Sequence, residues 1–281
     1  MTARLRSVLF APATRPDVMR KLPCSGPDGV VIDLEDAVPP DAKSEARANG
    51  REVGPELTAL ADGPEVYVRV NAVTTDWFGS DISEGLFDGL AGVVVPKLEK
   101  AAHVDRVLGA LIRAGRSELA ICAGIETAAG VLGAAEVLSS GVALAYFGAE
   151  DFVTDMGGVR RADNIEVLHA RSHVALTARV AGVPVMDMVV TDFGDDDRFR
   201  REAAEARAMG YAGKLCIHPA QVALANEAFV PTVEEIERAR RIVAAYDEAS
   251  AGGHAAIAVD GQMVDEPLAR QARALIDGAQ R

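Results

Sequence analysis

The sequence predicts an α/β fold, a (β/α)8 TIM barrel followed by a C-terminal lid segment. Eight short apolar runs alternate with longer stretches, several of which have helical spacing. This alternation indicates parallel βαβ units, and eight of them in about 250 residues is typical of such a barrel. A doubly wound sheet is the alternative, although no G-x-G-x-x-G motif follows a strand and no G-x-x-x-x-G-K-[ST] motif occurs.

The strand candidates are short and rich in β-branched residues. In chain order they are SVLFAP (7–12), GVVIDL (29–34), VYVRVN (66–71), GVVVPKL (92–98), LAICAGIE (119–126), VALAYFGA (142–149), PVMDMVV (184–190) and GKLCIHP (213–219). Helical patterns are expected over 101–115, 126–141, 164–182, 195–210 and 232–249. Several of these helices end in glycine, as helix C-caps often do.

The end of the chain falls outside the eight βα units. After Asp247 the stretch EASAGGHAA is rich in small residues and glycine, and we interpret it as a linker. The residues beyond it predict a turn or short hairpin that leads into a terminal helix. We therefore expect a barrel domain over 1–250 and a lid or helix over 251–281.

Composition and charge narrow the classes of function. The chain has 281 residues, 49% of them hydrophobic and 25% charged, as in ordinary soluble proteins. Its net charge of −13 argues against nucleic-acid binding. The cysteines show no metal-ligand spacing, and two lie in apolar runs, which favours reduced core thiols (Cys24, Cys122 and Cys216). With no apolar stretch of about 18 residues, we expect a cytoplasmic protein that makes no membrane contact.

Polar side chains concentrate where the predicted strands end, which is where a barrel carries its functional face. They are Asp33, Glu35, Asp36, Arg69, Asn71, Lys97, Glu126, Glu150, Asp151, Asp187 and His218. Glu126 and Asp151 follow successive strands, and a desolvated carboxylate is costly unless a cation or partner compensates it. Two carboxylates without His or Cys favour Mg²⁺ or Mn²⁺ over Zn²⁺.

Each of these residues also has a structural interpretation. Glu126 fits a carboxylate that interacts with a helix dipole, and Asp151 fits a helix N-cap. Arg69 is equally compatible with neutralising the carboxylates after the second strand. Lys97 fits an ion pair, and His218 precedes a proline-started helix, which is typical of a structural histidine.

The chain resembles the citrate lyase β-subunit-like (CitE-like) family, within the wider HpcH/HpaI aldolase group. The matching motifs run nearly end to end. They are RSVLFAPATRP, VVIDLEDAVPPDAKSEAR, VYVRVN, VVVPKLE, GIETAAGV, FGAEDFVTDMGG, GKLCIHPAQV and GQMVDEP. Because these motifs occur in order and at barrel-compatible spacing, the resemblance implies the same (β/α)8 fold.

The resemblance also implies roles for particular residues. The family's Mg²⁺ ligands correspond to Glu126 and Asp151, its strand arginine to Arg69, and the aspartate of its C-terminal motif to Asp265. Arg69 suits the oxyanion of a thioester enolate because a guanidinium stays charged and binds oxygens bidentately. Asp265 is the acid/base candidate, and Glu126 is expected to contact substrate as well. The family's thioester-binding segment matches residues 7–16, so we expect substrate contacts from Arg15 and Pro16. Lys97, near the end of the fourth strand, is a further candidate for contact with substrate.

The expected activity is a Mg²⁺-dependent lyase that cleaves or forms a 3-hydroxyacyl-CoA thioester, such as malyl-CoA or citramalyl-CoA. The products are acetyl-CoA and a 2-oxo acid, and the family resemblance implies a homotrimer with the tail over a neighbour's site. The alternatives are a citrate lyase β subunit acting on an acyl-carrier-protein thioester, a malyl-CoA thioesterase and an aldolase acting on free pyruvate. A non-catalytic ligand-binding scaffold is the alternative outside enzymology.

Overall fold

A closed barrel of eight parallel strands forms the first part of the chain. The computed structural model describes residues 5–279. The strands are β1 (Ser7–Pro12), β2 (Gly29–Asp33), β3 (Glu65–Arg69), β4 (Gly92–Val95), β5 (Ala120–Ile125), β6 (Leu144–Phe147), β7 (Val185–Asp187) and β8 (Gly213–Cys216). They pair in chain order, and β8 pairs back onto β1. The predicted barrel is confirmed, and closure excludes the open doubly wound sheet.

Helices follow the strands in alternation, as the sequence predicts. They are α1 (Pro16–Met19), α2 (Lys43–Thr58), α3 (Trp77–Glu84), α4 (Ala101–Arg113), α5 (Ala128–Leu132), α6 (Ala134–Leu138), α7 (Ala149–Asp155), α8 (Leu168–Ala181), α9 (Asp196–Met209), α10 (Pro219–Ala228), α11 (Val233–Ala251) and α12 (Glu266–Ala279). One-turn 3-10 helices span Leu22–Ser25 and Pro40–Ala42. Glycines in the left-handed conformation end α8 and α9.

The prediction of one continuous helix over 126–141 is wrong. Gly133 divides this segment into α5 and α6, and it caps the end of one and the start of the other. A β-carbon at Gly133 would lie 2.2 Å from the carbonyl oxygen of Glu99. The backbone here passes so close to the loop after β4 that a side chain has no room.

Side chains along each barrel strand alternate between the interior and the helix-covered outside. An interior layer is apolar apart from two tyrosine hydroxyls and a thiol, and consists of Val8, Val31, Tyr67, Val94, Cys122, Leu144, Tyr146, Met186 and Leu215, with Leu5 below it. Two residues further along the same inward face, β2 presents Asp33 and β3 presents Arg69, which are register partners. The interior therefore changes from apolar to charged towards the carboxyl ends of the strands.

The chain divides into two compact units, the first ending at Phe229 and the second beginning at Val230. In the second unit, α11 begins with a capping box formed by Thr232 and Glu235. The antiparallel strands β9 (Ala256–Val259) and β10 (Gln262–Asp265) follow and lead into α12. This is the hairpin and terminal helix that the sequence predicts.

The division lies before the expected boundary at residue 250, because α11 packs against α12 and belongs with the tail. Much of the stretch interpreted as a linker is helical, since α11 continues to Ala251. Tyr246 of α11 is buried with Val264 and Ala269 in a small core of this unit. The tail is thus a helical hairpin with its own apolar contacts.

Two further sequence expectations concern hydrophobicity and thiols. Within residues 5–279, no helix combines the length and apolar character needed to cross a membrane. Cys122 and Cys216 are buried, as their apolar runs predict, whereas Cys24 is exposed. All three thiols are free.

Candidate active site

A cavity of about 310 Å³ opens at the carboxyl-end mouth of the barrel. Its walls come from strand ends and from the loops that follow them. The lining residues include Phe10, Pro12, Asp33, Arg69, Glu126, Tyr146, Gly148, Asp151, Val189 and Ile217. Apolar side chains at or just after β1, β7 and β8 thus face charged side chains at or just after β2, β3, β5 and β6. A pocket of this kind suits a ligand with one apolar and one polar portion.

Arg69 is held in place by the carboxylates of the neighbouring strand. Its Nε and Nη2 each donate a hydrogen bond of 2.7 Å to Asp33, a bidentate pair. Its Nη1 lies 3.1 Å from Glu35 Oε2, and its guanidinium lies over the Phe10 ring. The guanidinium has five N–H donors, of which Asp33 uses two. Arg69 is therefore both ion-paired and able to donate to a ligand in the cavity.

The backbone and the side chain of Lys97 contact different carboxylates. It adopts φ = 56°, a left-handed conformation that is uncommon for a residue other than glycine. Its backbone N–H donates to Glu126 Oε1 at 3.0 Å. Its ammonium lies 2.7 Å from Glu35 and 3.7 Å from Asp151. Burial opposes the charge of Lys97, yet these carboxylates hold its pKa above the ordinary value.

Glu126 is a deeply buried carboxylate between β5 and α5. Only 2% of the residue is exposed, and Thr127 beside it caps α5 by accepting a hydrogen bond from Gly130 N–H. Burial first, and then the negative charges of Glu35 and Asp151, raise the pKa of Glu126 to about 8. A β-carbon on Gly148 would lie 2.4 Å from Glu126 Oε2, so the carboxylate packs directly on the β6–α7 loop.

Asp151 lies in the first turn of α7 with its side chain about one third exposed. Burial raises the pKa of Asp151, and the Lys97 ammonium opposes this effect. The alternative that Asp151 is a helix N-cap is wrong, because Gly148 occupies that position. Asp151 is instead free to face the cavity that Glu126 lines.

The charges around the cavity do not balance. The ion-paired cluster holds the cations Arg69 and Lys97 against the carboxylates of Asp33, Glu35, Asp36 and Asp151. Glu126 lies beside them and adds a further negative charge when it is ionised. No group of three or more His, Cys, Asp or Glu suited to a metal is found in residues 5–279. Mg²⁺ needs only one or two protein carboxylates and completes its sphere with water or substrate. The donor set of Glu126 and Asp151 therefore fits a divalent cation.

A buried network behind this cluster was missed by sequence reasoning. Lys43 Nζ donates to the carbonyl oxygens of Leu34 and Glu35 and to Asn71 Oδ1, at 2.7–2.8 Å. Asn71 in turn donates to Asp81. These bonds fix the loop that carries Glu35. The one sequence signal was Asn71 at a strand end, since Lys43 lies in a helix that looks solvent-exposed from its composition.

Several predicted residues, Lys97 among them, do not line the cavity in the part of the chain that the structure describes. Arg15 is exposed and paired with Asp17, and Pro16 begins α1. His218 caps α10 through Nδ1, which confirms its structural interpretation. Asp265 belongs to the second unit, where its Oδ1 accepts the Leu268 N–H at 3.4 Å. Substrate contacts from Arg15 and Pro16 and catalysis by Asp265 stay predictions.

The expectation that Asp187 faces the mouth is wrong. Met186 points into the barrel, so Asp187, the next residue of β7, points outwards. There it pairs bidentately with Arg171 at 2.8 and 2.9 Å and accepts a 2.6 Å hydrogen bond from Lys214. Glu202 lies 3.6 Å from Lys214. These buried charges join β7 and β8 to α8 and α9 and leave Asp187 no catalytic position.

Fold and site together define a (β/α)8-barrel enzyme of the kind that carries its reactive groups at the carboxyl ends of its strands. The sequence profile of the HpcH/HpaI aldolase/citrate lyase family matches residues 6–219, and the chain belongs to this family. The resemblance inferred from the motifs is confirmed, and the chain is a lyase.

Individual relatives span nearly the whole chain. A citrate lyase subunit beta-like protein of Deinococcus radiodurans is 50% identical, covering 98% of this chain and 97% of its own. An L-malyl-CoA/beta-methylmalyl-CoA lyase of Cereibacter sphaeroides is 35% identical, covering 98% and 94%. The crystal structure of CitE from Mycobacterium tuberculosis with magnesium, acetoacetate and coenzyme A is 31% identical, with a TM-score of 0.82 and 98% of each chain covered.

Proposed function

We propose that this lyase cleaves, or in reverse forms, the carbon–carbon bond of a 3-hydroxyacyl-CoA thioester with Mg²⁺ as cofactor. The observation that carries the proposal is the convergence of Glu126, Asp151 and Arg69 on one cavity with an excess of negative charge. The relatives support the substrate class, since one is named a malyl-CoA lyase and another is a complex with magnesium and coenzyme A.

Glu126 and Asp151 would hold the Mg²⁺. When bound, the ion supplies Lewis-acid polarisation of the substrate oxygens. Mn²⁺ suits the same oxygen ligands. Lys97 keeps one oxygen of Glu126 fixed through its backbone N–H, and its ammonium balances the carboxylates of Glu35 and Asp151. These contacts orient both carboxylates towards the cavity before substrate arrives.

Arg69 would stabilise the charge that develops on the thioester. In the cleavage direction the C2–C3 bond breaks, the C3 hydroxyl gives its proton to solvent and becomes the keto group of the 2-oxo acid, and the electrons of the broken bond form a thioester enolate. Because Asp33 and Glu35 fix the guanidinium, its remaining N–H groups are pre-oriented for the enolate oxygen. The apolar wall of Phe10, Val189 and Ile217 would exclude water from this charge.

The second unit would supply the acid/base. Protonation of the enolate at C2 yields acetyl-CoA, and Asp265 is the candidate donor. It lies where β10 ends and α12 begins, in a segment with its own apolar core. We propose that this segment closes over the site of a neighbouring subunit in a homotrimer. A citrate lyase β subunit that acts on an acyl-carrier-protein thioester is the alternative within the family.

Substitution of the two carboxylates tests the proposed function. We expect Glu126→Gln and Asp151→Asn each to lower kcat/KM for malyl-CoA or citramalyl-CoA at least 100-fold, a loss of about 2.7 kcal/mol of transition-state stabilisation. EDTA should abolish wild-type turnover, and Mg²⁺ should restore it. Asp163→Asn, at an exposed ion pair, is the control. Wild-type turnover by either carboxylate variant, or in EDTA, contradicts the proposal.

A further inference from the structure

Tyr146 has a buried hydroxyl that lacks a well-formed hydrogen bond among the described residues. The residue lies on β6 with its side chain directed into the barrel, and only 2% of it is exposed. Its hydroxyl oxygen is buried and has no hydrogen bond of ordinary geometry within residues 5–279, although the Glu126 carboxylate is close enough to act on it. An unsatisfied buried hydroxyl costs about 1–3 kcal/mol, so its presence calls for an explanation, of which a functional role is one.

The neighbours of this hydroxyl indicate a partner for it. Tyr146 is the register partner of Gly124, and a β-carbon on Gly124 would lie 2.4 Å from the Tyr146 oxygen. Glycine therefore makes room for the hydroxyl. Glu126 follows two residues later on the same inward face of the chain, directly above. A phenol carries an O–H donor at neutral pH, so the Tyr146 hydroxyl can donate to a carboxylate above it.

The hydroxyl oxygen is buried, although Tyr146 is one of the residues that line the cavity. A substrate oxygen in the cavity is consequently a poorer partner than the Glu126 carboxylate. Lys97 N–H already donates to Glu126 Oε1 from the side of β4. If the Tyr146 hydroxyl also donated to Glu126 from inside the barrel, the lone pairs of the carboxylate that stay free would face the cavity.

We propose that Tyr146 is a positioning residue whose hydroxyl donates a hydrogen bond to Glu126 when that carboxylate binds a divalent cation. This inference rests on the proposed function, because it takes Glu126 as a ligand of the ion. Partners of this kind fix the orientation of a metal ligand, and their loss typically lowers metal affinity 10- to 100-fold.

Two tyrosine-to-phenylalanine variants provide a matched test. Tyr67 belongs to the same interior layer, but its hydroxyl already donates to Glu65, at the other end of the barrel. Mg²⁺ or Mn²⁺ binding without substrate is measured by calorimetry, and Tm is measured in EDTA. We expect Tyr146→Phe to raise the Kd for the ion at least tenfold without lowering Tm. Tyr67→Phe should lower Tm and leave the Kd unchanged.

Two results overturn the inference. One is a Kd for Tyr146→Phe within twofold of wild type, and the other is an equal loss of affinity in Tyr146→Phe and Tyr67→Phe, which would indicate a general loosening of the barrel. Glu126→Gln separates this failure from that of the proposed function. If Glu126→Gln abolishes ion binding while Tyr146→Phe does not change it, only the role of Tyr146 is wrong. If Glu126→Gln binds the ion like wild type, the metal site itself is wrong.

Discussion

The Glu126 carboxylate is almost fully buried. Burying it in the ionised form lowers the free energy of unfolding by an amount that depends on pH. Its pKa of about 8 in the folded chain lies above the value of about 4.5 for an unperturbed glutamate. Between these values the folded chain holds a proton that the unfolded chain releases, so the free energy of unfolding falls as pH rises. Below pH 4.5 both states are protonated, and above 8 the full penalty applies.

We therefore expect Glu126→Gln to stabilise the metal-free protein, because the amide removes the buried charge. The gain in Tm over wild type should grow between about pH 4.5 and pH 8 and level off above, where it corresponds to a few kcal/mol at most. Calorimetric scans in EDTA across this range measure it. The exposed carboxylate of Glu118 gives the control Glu118→Gln, and a gain that does not vary with pH contradicts the assigned pKa.

Gly148 is required by the position of Glu126. A β-carbon there would lie 2.4 Å from Oε2 and 2.6 Å from Cβ of Glu126, and the second of these atoms cannot move aside as a flexible chain end can. We expect Gly148→Ala to displace the carboxylate and weaken Mg²⁺ binding about tenfold or more. Titration calorimetry measures the affinity.

Gly79 offers a matched control for this substitution. It lies exposed in α3, and a β-carbon there would meet nothing within 4 Å. Gly79→Ala should leave metal affinity unchanged. If Gly148→Ala binds Mg²⁺ as tightly as wild type, the close approach of the β6–α7 loop does not position Glu126.

At the scale of elements, buried charges attach α8 and α9 to the barrel. Asp187, Arg171, Lys214 and Glu202 are all 0–1% exposed and pair with one another. Breaking such a network leaves a charge buried without its partner, which costs about 3–5 kcal/mol. We expect this loss of unfolding free energy for Asp187→Asn, measured by urea denaturation.

The same variant distinguishes a structural from a catalytic aspartate. Folded Asp187→Asn should keep wild-type Mg²⁺ affinity, since its side chain faces away from the barrel interior. Asp163→Asn removes an exposed ion pair and should leave the urea midpoint unchanged. Loss of metal affinity by well-folded Asp187→Asn would contradict the outward orientation.

The strands and helices could be predicted because each barrel strand is a short apolar run and these runs alternate with stretches of helical spacing. The direction in which a single side chain points was harder to predict from the sequence. Strand parity could have shown that Asp187 faces outwards, because its neighbour Met186 is an apolar core residue. By contrast, the left-handed backbone of Lys97 and the break at Gly133 arise from contacts between loops, which local patterns do not contain.

At the scale of the whole molecule, the proposed function places the tail of one subunit at the barrel of another. We predict that Asp265 acts on the site of a neighbour. Asp265→Ala and Glu126→Ala should each be nearly inactive, and mixing them should restore part of the activity, because some sites then combine an intact Glu126 with an intact Asp265. Subunit exchange has to be verified by mass spectrometry of tagged chains.

Two outcomes would revise this assignment. Absence of recovery after verified exchange means that the tail acts on its own barrel. Full activity of Asp265→Ala removes its role as acid/base. The role of Asp265 could be predicted only from the family resemblance. The residue lies in a separate compact unit, and the local sequence there does not indicate which active site it would contact.

The reaction itself is tested most directly by product analysis. Malyl-CoA and citramalyl-CoA are incubated with the enzyme and Mg²⁺, and the products are identified by mass spectrometry. The account predicts acetyl-CoA with glyoxylate or pyruvate respectively, no formation of either in EDTA, and none with Glu126→Ala. Free CoA with an intact hydroxy acid, in place of acetyl-CoA and a 2-oxo acid, would show thioester hydrolysis and contradict carbon–carbon cleavage at this site.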